Sequence, residues 1–351
     1  MTSGKVKKKS RLKGILKYSL SLLLTALFLY IAFNGVDLDE VFRIVSESSI
    51  IWMFVFITVQ MFAHYVRALR WKVILHSVKP EASIKNLFGA LMVGYGVNCV
   101  VPRLGEVTRA VLVGKWENLS GSSMLGTIIL ERVIDVIFLG LAVLVAILIF
   151  SERLLTNFPW LQSTLYLTIV FIGVVILVFY LTIRHKERFY KVIVKFFSYF
   201  SEKFAHKIAD LIQTVGEGFG SLKGRNNYII SFFLSALLII LYALGSYIGF
   251  FIVGLHHIKE VNYQMGWIVM SISAIGIVIP TPGGTGSYHT LAKSTLVLLF
   301  GFGEAVSLAY AFITHIISYF FAIFFSVIIF FVLNKKHESI LKVVETDIEE
   351  L

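Results

Sequence analysis

The chain of 351 residues is 57% hydrophobic and only 15% charged, with a mean hydropathy of +0.83, which excludes an ordinary soluble fold. Its formal net charge of +11 lies between long apolar runs, which argues against nucleic acid as a partner and for loops facing anionic lipid. Cys99 is the single cysteine, so an intramolecular disulfide and a cysteine-based metal cluster are excluded, and no cofactor is expected.

A basic head (Lys5, Lys7, Lys8, Lys9, Arg11, Lys13 and Lys17) precedes the first apolar run. That run is longer than a signal h-region and no small-x-small site precedes Asn34, so it is expected to stay as an anchor. Apolar runs at 15–33, 50–66, 124–150, 161–183, 228–253 and 304–333 predict about six full spans. Regions 84–118 and 263–300 are also apolar but broken by glycine and proline.

Lysine and arginine set the orientation. The head is inside, and the acidic stretch 34–49 (Asp37, Asp39, Glu40 and Glu47 against Arg43) is outside. Arg67, Arg70, Lys72, Lys79 and Lys85 place the next loop inside, and loop 151–160, with Arg153 alone, is outside. The stretch 184–227, with Arg184, Lys186, Arg188, Lys191, Lys195, Lys203, Lys207, Lys223 and Arg225, is inside, as are Lys335 and Lys336. Both termini are then cytoplasmic only if region 84–118 dips in from the cytoplasm and region 263–300 from outside.

The expected fold is an all-α polytopic membrane protein with two broken or re-entrant hairpins, residing in the cytoplasmic membrane. It forms one integral membrane domain, 1–351, with one half at about 50–150 and the other at about 228–333. Between them, about 184–227, Phe189, Val192, Ile193, Phe196, Phe197 and Phe200 recur at helical spacing, which predicts an amphipathic cytoplasmic linker on the inner leaflet. The breaks echo each other, Val101-Pro102-Arg103-Leu104-Gly105 against Ile279-Pro280-Thr281-Pro282-Gly283. Broken segments at matching places in two halves point to an inverted repeat and a binding site.

Three groups of residues could carry chemistry. Glu131, Arg132 and Asp135 fall inside the span 124–150. If the span began after Asp135 it would reach only about 22 Å at ~1.5 Å per residue, short of a ~30 Å hydrocarbon core. Intramembrane charge is expensive, which favours a functional role over a structural ion cluster. Glu131 and Asp135 share a helix face, and Arg132 is placed to neutralise Asp135. Arg103, Glu106 and Arg109 form a stripe after the first break, and Arg67 and Arg70 end the second span with Trp71. Guanidinium forks suit phosphate, although positive-inside anchoring also explains Arg67 and Arg70. Pro280, Pro282, Gly283, Gly284 and Gly286 mark an irregular backbone, Ser287 is the expected N-cap of the next helix, and His289 and Lys293 follow on one face. A helix start of this kind presents bare N–H groups to an anion.

Arg-Ala-Leu-Arg-Trp at 67–71, Arg-Leu-Gly-Glu-Val-Thr-Arg-Ala at 103–110, Glu-Arg-Val-Ile-Asp at 131–135 and Pro-Thr-Pro-Gly-Gly-Thr-Gly at 280–286 occur in that order. Together they resemble the flippase-like family named for the transmembrane region of lysylphosphatidylglycerol synthase, over nearly the whole chain. The family's best-known member, the multiple peptide resistance factor, joins such a region to a soluble aminoacyl-transferase domain. Here the chain ends soon after the last span, so the resemblance implies lipid translocation or an accessory role rather than aminoacylation. The family often has an acidic residue shortly after the Gly-Gly-x-Gly turn, where this chain has Ser287, Tyr288 and His289.

The expected function is binding or translocation of a phospholipid, aminoacyl-lipid or glycolipid whose head group carries phosphate. In that reading Arg103, Arg109 and Arg132 take the phosphate, and Glu131 and Asp135 take an amine or protons. Two other readings stand beside it. One is a non-transporting partner of a membrane lipid synthase or glycosyltransferase. The other is an intramembrane polyprenyl-diphosphate phosphatase using the Glu131/Asp135 pair, although no arginine lies between Pro280 and Lys293.

Overall fold

The computed structural model describes residues 19–76, 78–101, 104–199, 201–202, 205, 225–279 and 281–333. The basic head, the first break's Pro102 and Arg103, Pro280, Phe200, most of 203–224 and the C-terminal lysines lie outside them, as does the Phe189 side chain. Among the described residues the secondary structure is helical, with no strand.

Four described helices are long and apolar enough to cross a membrane: α3 (Ile50–Leu75), the Ser123–Phe150 part of α6 (Gly121–Asn157), α9 (Arg225–Ile252) and α13 (Glu304–Leu333). They cover four of the expected spans. The first expected span, 15–33, holds α1 (Ser19–Phe33), which meets α2 (Leu38–Ser46), in the acidic stretch expected outside, at 89°. The bend has a local cause. Gly35 takes φ +75°, and Asp37 caps α2 by accepting from the Asp39 and Glu40 amides at 3.0 and 3.2 Å. The expected span at 161–183 is a single helix, α7 (Trp160–Arg184). After it, α8 (Lys186–Ser198) is the amphipathic helix read from sequence, with Ile193 buried and Val192 and Phe196 exposed.

Region 84–118 is two helices, α4 (Ile84–Val100) and α5 (Leu104–Glu117). Region 263–300 is α11 (Tyr263–Val278), a 3₁₀ turn at Pro282–Gly284 and α12 (Ser287–Phe300), with the short α10 (Leu255–Ile258) before it. Each broken region closes through a glycine. A Cβ on Gly94 would lie 2.8 Å from the Gly105 carbonyl oxygen, and one on Gly276 would lie 2.8 Å from the Ser287 carbonyl oxygen. The two partners are 11 residues apart in both hairpins. The residues in corresponding places at the two crossings are Gly105 and Ser287, whereas the proline pattern aligns Gly105 with Gly283.

The chain packs as two compact units that draw on both sequence halves. One contains Met1–Gln60, Tyr95–Leu104 and Tyr242–Phe324, and the other Met61–Gly94, Gly105–Leu241 and Phe325–Leu351. In the first unit α1 lies directly on the second hairpin. Thr290 Oγ1 donates to Phe28 O at 2.8 Å, and a Cβ on Gly286 would meet Phe28 Cβ and Thr25 O at 2.9 Å. Lys293 Nζ caps the end of α1 by donating to Ala32 O at 3.0 Å, and pairs with Glu304 at 2.9 Å. In the second unit the end of α5 is clasped to the loop before α4. Glu117 accepts from Asn86 Nδ2 at 2.7 Å and the Ser83 amide at 3.1 Å, and pairs with Lys79 at 3.1 Å.

Two expectations are corrected here. The second span does not end at residue 66: α3 continues to Leu75, and Arg67 and Arg70 are buried inside it rather than standing in a basic loop. Trp71 is fully buried as well. Ser287 is not the N-cap of α12. Gly286 holds that place, and the Ser287 hydroxyl turns back to donate to Gly276 O at 2.6 Å.

Gly276→Ala is expected to cost about 1–3 kcal/mol, because the clashing atom is backbone and cannot swing aside. Gly173→Ala, with nothing within 4 Å of the added Cβ, is expected to be neutral or slightly stabilising, and thermal melting of both variants checks the pair. Glu117 gives a pH dependence. Burial pushes its pKa up, but the Asn86, Lys79 and Ser83 hydrogen bonds and the Lys79 charge outweigh this and hold it below the usual value. Its stabilisation is complete above the unfolded carboxylate pKa of about 4.3 and disappears as pH falls through the lower folded value. The melting gap between the wild type and Glu117→Gln should accordingly be full at neutral pH and shrink below that point.

Candidate functional site

On α6, Thr127, Glu131 and Asp135 recur every fourth residue and so line one face. On α3, Arg67, Arg70 and Trp71 line another, and α5 adds Glu106 and Arg109 one turn apart. The second unit brings these faces together into a buried ion cluster.

Glu131, with 0% of its side chain exposed, is the centre. Its Oε1 accepts from Arg67 Nε at 2.7 Å, and its Oε2 accepts from an Arg109 terminal nitrogen. Asp135 accepts from Arg67 on Oδ2 and from Arg70 on Oδ1. Arg70 also donates to Ser235 Oγ at 3.0 Å and approaches Glu131 Oε1 at 3.5 Å. Arg67 thus bridges two carboxylates, a task its planar fork performs and a lysine ammonium does not. The Arg109 guanidinium stacks 4.6 Å from the centroid of Trp71, whose indole N–H donates to Thr127 Oγ1 at 3.0 Å.

The rim is more open. Arg132, with 40% of its side chain exposed, lies 3.4 Å from Asp135 and 3.7 Å from Glu106. The Nε–H groups of Arg70, Arg109 and Arg132 are buried and have no hydrogen-bond partner. Among the described residues the cluster therefore sets the buried guanidiniums of Arg67, Arg70 and Arg109 against buried Glu131 and partly buried Asp135, with unused donors and no unused carboxylate oxygen on Glu131.

The residues of the second hairpin belong to the first unit and form a packed neutral turn. Gly283, Gly284 and Gly286 take φ values of +54°, +79° and +87°, which residues with a Cβ rarely adopt. The Gly283 Cα faces the Tyr319 ring, and Tyr319 donates to Cys99 O at 3.1 Å. His289, almost fully buried, accepts the Gly286 N–H on Nδ1 at 3.1 Å, so one of the helix-start donors expected to face an anion is already satisfied. Thr285 Oγ1 lies 3.4 Å from His315 Nε2, and the His289 and His315 rings are 4.7 Å apart.

The structure thus assembles Arg67, Arg70, Glu106, Arg109, Glu131, Arg132 and Asp135. It groups Pro282, Gly283, Gly284, Gly286, Ser287 and His289 elsewhere, and leaves Arg103 and Pro280 undescribed. Sequence reasoning missed Ser235, Thr127, His315 and Tyr319. Thr127 alone carried a signal, the four-residue repeat with Glu131 and Asp135. Among the described residues no group of three or more His, Cys, Asp or Glu side chains could hold a metal ion.

Residues 18–326 match the family described as Lysylphosphatidylglycerol synthase TM region. A UPF0104 membrane protein of Methanocaldococcus jannaschii is 21% identical over 287 residues, which is 79% of this chain and 83% of that protein. A UPF0104 membrane protein of Methanothermobacter thermautotrophicus is 29% identical over 112 residues, 30% of this chain and 32% of that protein. No solved structure matches.

Removing Glu131 leaves Arg67 and Arg109 buried without their main counter-charge. Glu131→Ala should therefore destabilise the protein by about 3–5 kcal/mol, while Arg132→Ala at the rim should cost no more than about 1 kcal/mol. Thermal or denaturant unfolding in detergent would show this ranking; equal losses would mean the cluster is not the buried network described.

Proposed function

Because the chain belongs to the lysylphosphatidylglycerol synthase transmembrane-region family, we propose that it is a multi-pass, flippase-like protein that binds and translocates a lipid with a phosphate-containing head group across the cytoplasmic membrane. The observation that carries this reading is the buried excess of guanidinium over carboxylate, with Arg132 partly exposed at its rim. Unused N–H donors beside surplus positive charge suit an acceptor-only anion, and phosphate is the anion every such lipid presents.

The roles divide differently from the first reading of the residues. Glu131 and Asp135 act on the arginines, holding the guanidiniums in place, rather than on a head-group amine. Arg109 and Arg132 remain the phosphate-binding candidates, with Arg103 beside them in sequence. The same ion pairing weighs against hydrolysis, because a general base needs a carboxylate oxygen that is not already held by arginine. The six spans, the cytoplasmic termini and the inverted repeat belong to this proposal. The equal 11-residue spacing of the glycine contact in both hairpins supports the repeat.

The test is scrambling of fluorescent phospholipids by the purified full chain in liposomes. Translocation is expected to fall at least about tenfold in Arg132→Gln and Arg109→Gln. It should be unchanged in Gly173→Ala, which lies in open space. Translocation that survives both arginine substitutions at wild-type rate would sink the proposal.

A further inference from the structure

The outward side of α8 has no part in the ion cluster, and it carries apolar and basic residues together. We propose that α8 docks on an anionic lipid surface through Val192, Phe196 and Tyr199, with Arg188, Lys191 and Lys195 at their flank. Anionic lipid is then a surface partner of the protein, distinct from any head group held at the ion cluster. The proposal concerns the second unit alone and does not rest on the phosphate-site reading.

The placement of α8 follows from the helix before it. The 25 residues of α7 reach about 37 Å at ~1.5 Å per residue, enough for a ~30 Å hydrocarbon core. Leu167, Val170, Val174 and Leu177 stand exposed along α7, and its first charged residue is Arg184 at its end. His185 then leaves the helical conformation, with φ −133° and ψ 38°, and α8 begins at Lys186. The amphipathic helix therefore starts where the apolar run gives out, which is the depth of lipid head groups.

The sequence pattern groups the apolar residues of α8 on one face, but the fold divides them. Ile193 is buried, whereas Val192, Phe196 and Tyr199 are 62%, 67% and 90% exposed. Steps of four and three residues put these three in one stripe. With Lys195 they line an open groove of about 610 Å³. Arg188 lies one turn before Val192 and Lys195 one turn after it, with Lys191 beside it, and all three are exposed. An apolar stripe flanked by lysine and arginine suits the boundary between acyl chains and head groups. The long basic stems can lie along the stripe while their charged ends reach the phosphates.

Charge selects this occupant over another protein surface of the same kind. Residues 184–202 carry five lysines and arginines against Glu187 and Glu202. A second copy laid stripe on stripe would bring two basic flanks together, and like charges across an interface repel. An anionic leaflet offers negative charge and apolar cover at one depth.

The experiment uses the full chain in lipid nanodiscs, with Cys99→Ala and a single Phe196→Cys carrying an environment-sensitive fluorophore. One set of discs holds phosphatidylcholine alone, and the other an equal mixture of phosphatidylcholine and phosphatidylglycerol. Quenching by spin-labelled lipid reads the docked state, and quenching by a water-soluble agent reads the free one. The label is expected to be docked in the mixture and largely free in phosphatidylcholine. A basic residue near an anionic surface weighs about fivefold in such a ratio, so Lys195→Gln should lower docked-to-free about fivefold in the mixture and leave phosphatidylcholine unchanged. A label at Val192→Cys repeats the reading if the first variant folds poorly. Equal docking in both discs, untouched by Lys195→Gln, overturns the anionic partner. Full access of the water-soluble agent in both discs overturns docking. Shielding from both quenchers means that protein covers the stripe, and overturns the proposal as well.

Discussion

Guanidinium and carboxylate groups packed among apolar side chains persist only where each charge meets its opposite at hydrogen-bond distance, and much of the second unit follows from that requirement. Arg67 and Arg70 sit on the part of α3 beyond the apolar run that ends at residue 66. They stay buried because Glu131 and Asp135 come to them from α6, and Arg109 reaches Glu131 from α5. Three helices are thereby fixed in relative rotation, since turning any one by a residue would strand a buried ion. Trp71 and Ser235 complete the fit, one as a stacking surface for Arg109 and the other as a neutral acceptor for Arg70.

The cluster also needs backbone brought close enough for short side-chain reach. Gly94 allows α4 to touch the backbone of α5 at Gly105, one turn before Arg109. The Lys79–Glu117 clasp ties the far end of α5 to the loop that begins α4. Small residues at a helix contact do the same work throughout membrane proteins, where lipid offers no hydrophobic drive for helices to associate. The second hairpin repeats the device at Gly276 and Ser287, with hydroxyls in place of charges.

The helices were legible because their cause is local: apolar runs of sufficient length define them, and α3, α6, α9 and α13 lie where those runs lie. The end of α3 was not, because Arg67 and Arg70 read as loop residues until a carboxylate 64 or more positions away neutralises them. The Glu131/Asp135 pair was legible as intramembrane charge, and its i+3 neighbour Arg132 lies where the spacing placed it. What they bind to was not, since nothing in a four-residue spacing says whether the partner is a ligand or another helix. Ser287 misled for a similar reason. Its side chain is a good cap in isolation, but the close crossing at Gly276 offers its hydroxyl a buried carbonyl instead.

The two hairpins therefore differ in charge while sharing a crossing geometry. The family often has an acid soon after the glycine turn, where this chain has Ser287, Tyr288 and His289. The His289 Nδ1 accepts from Gly286, so that nitrogen carries no proton and the ring is neutral as it caps the turn. A carboxylate could accept the same N–H, but it would bring a full charge into a packed setting of Phe312, Tyr288 and His315 rings with no arginine described beside it. Histidine satisfies the amide at no net charge. The crossing at Gly276 and Ser287 is consequently built from hydroxyl, backbone and a neutral imidazole, whereas Glu106 and Arg109 of the first hairpin join the charged cluster.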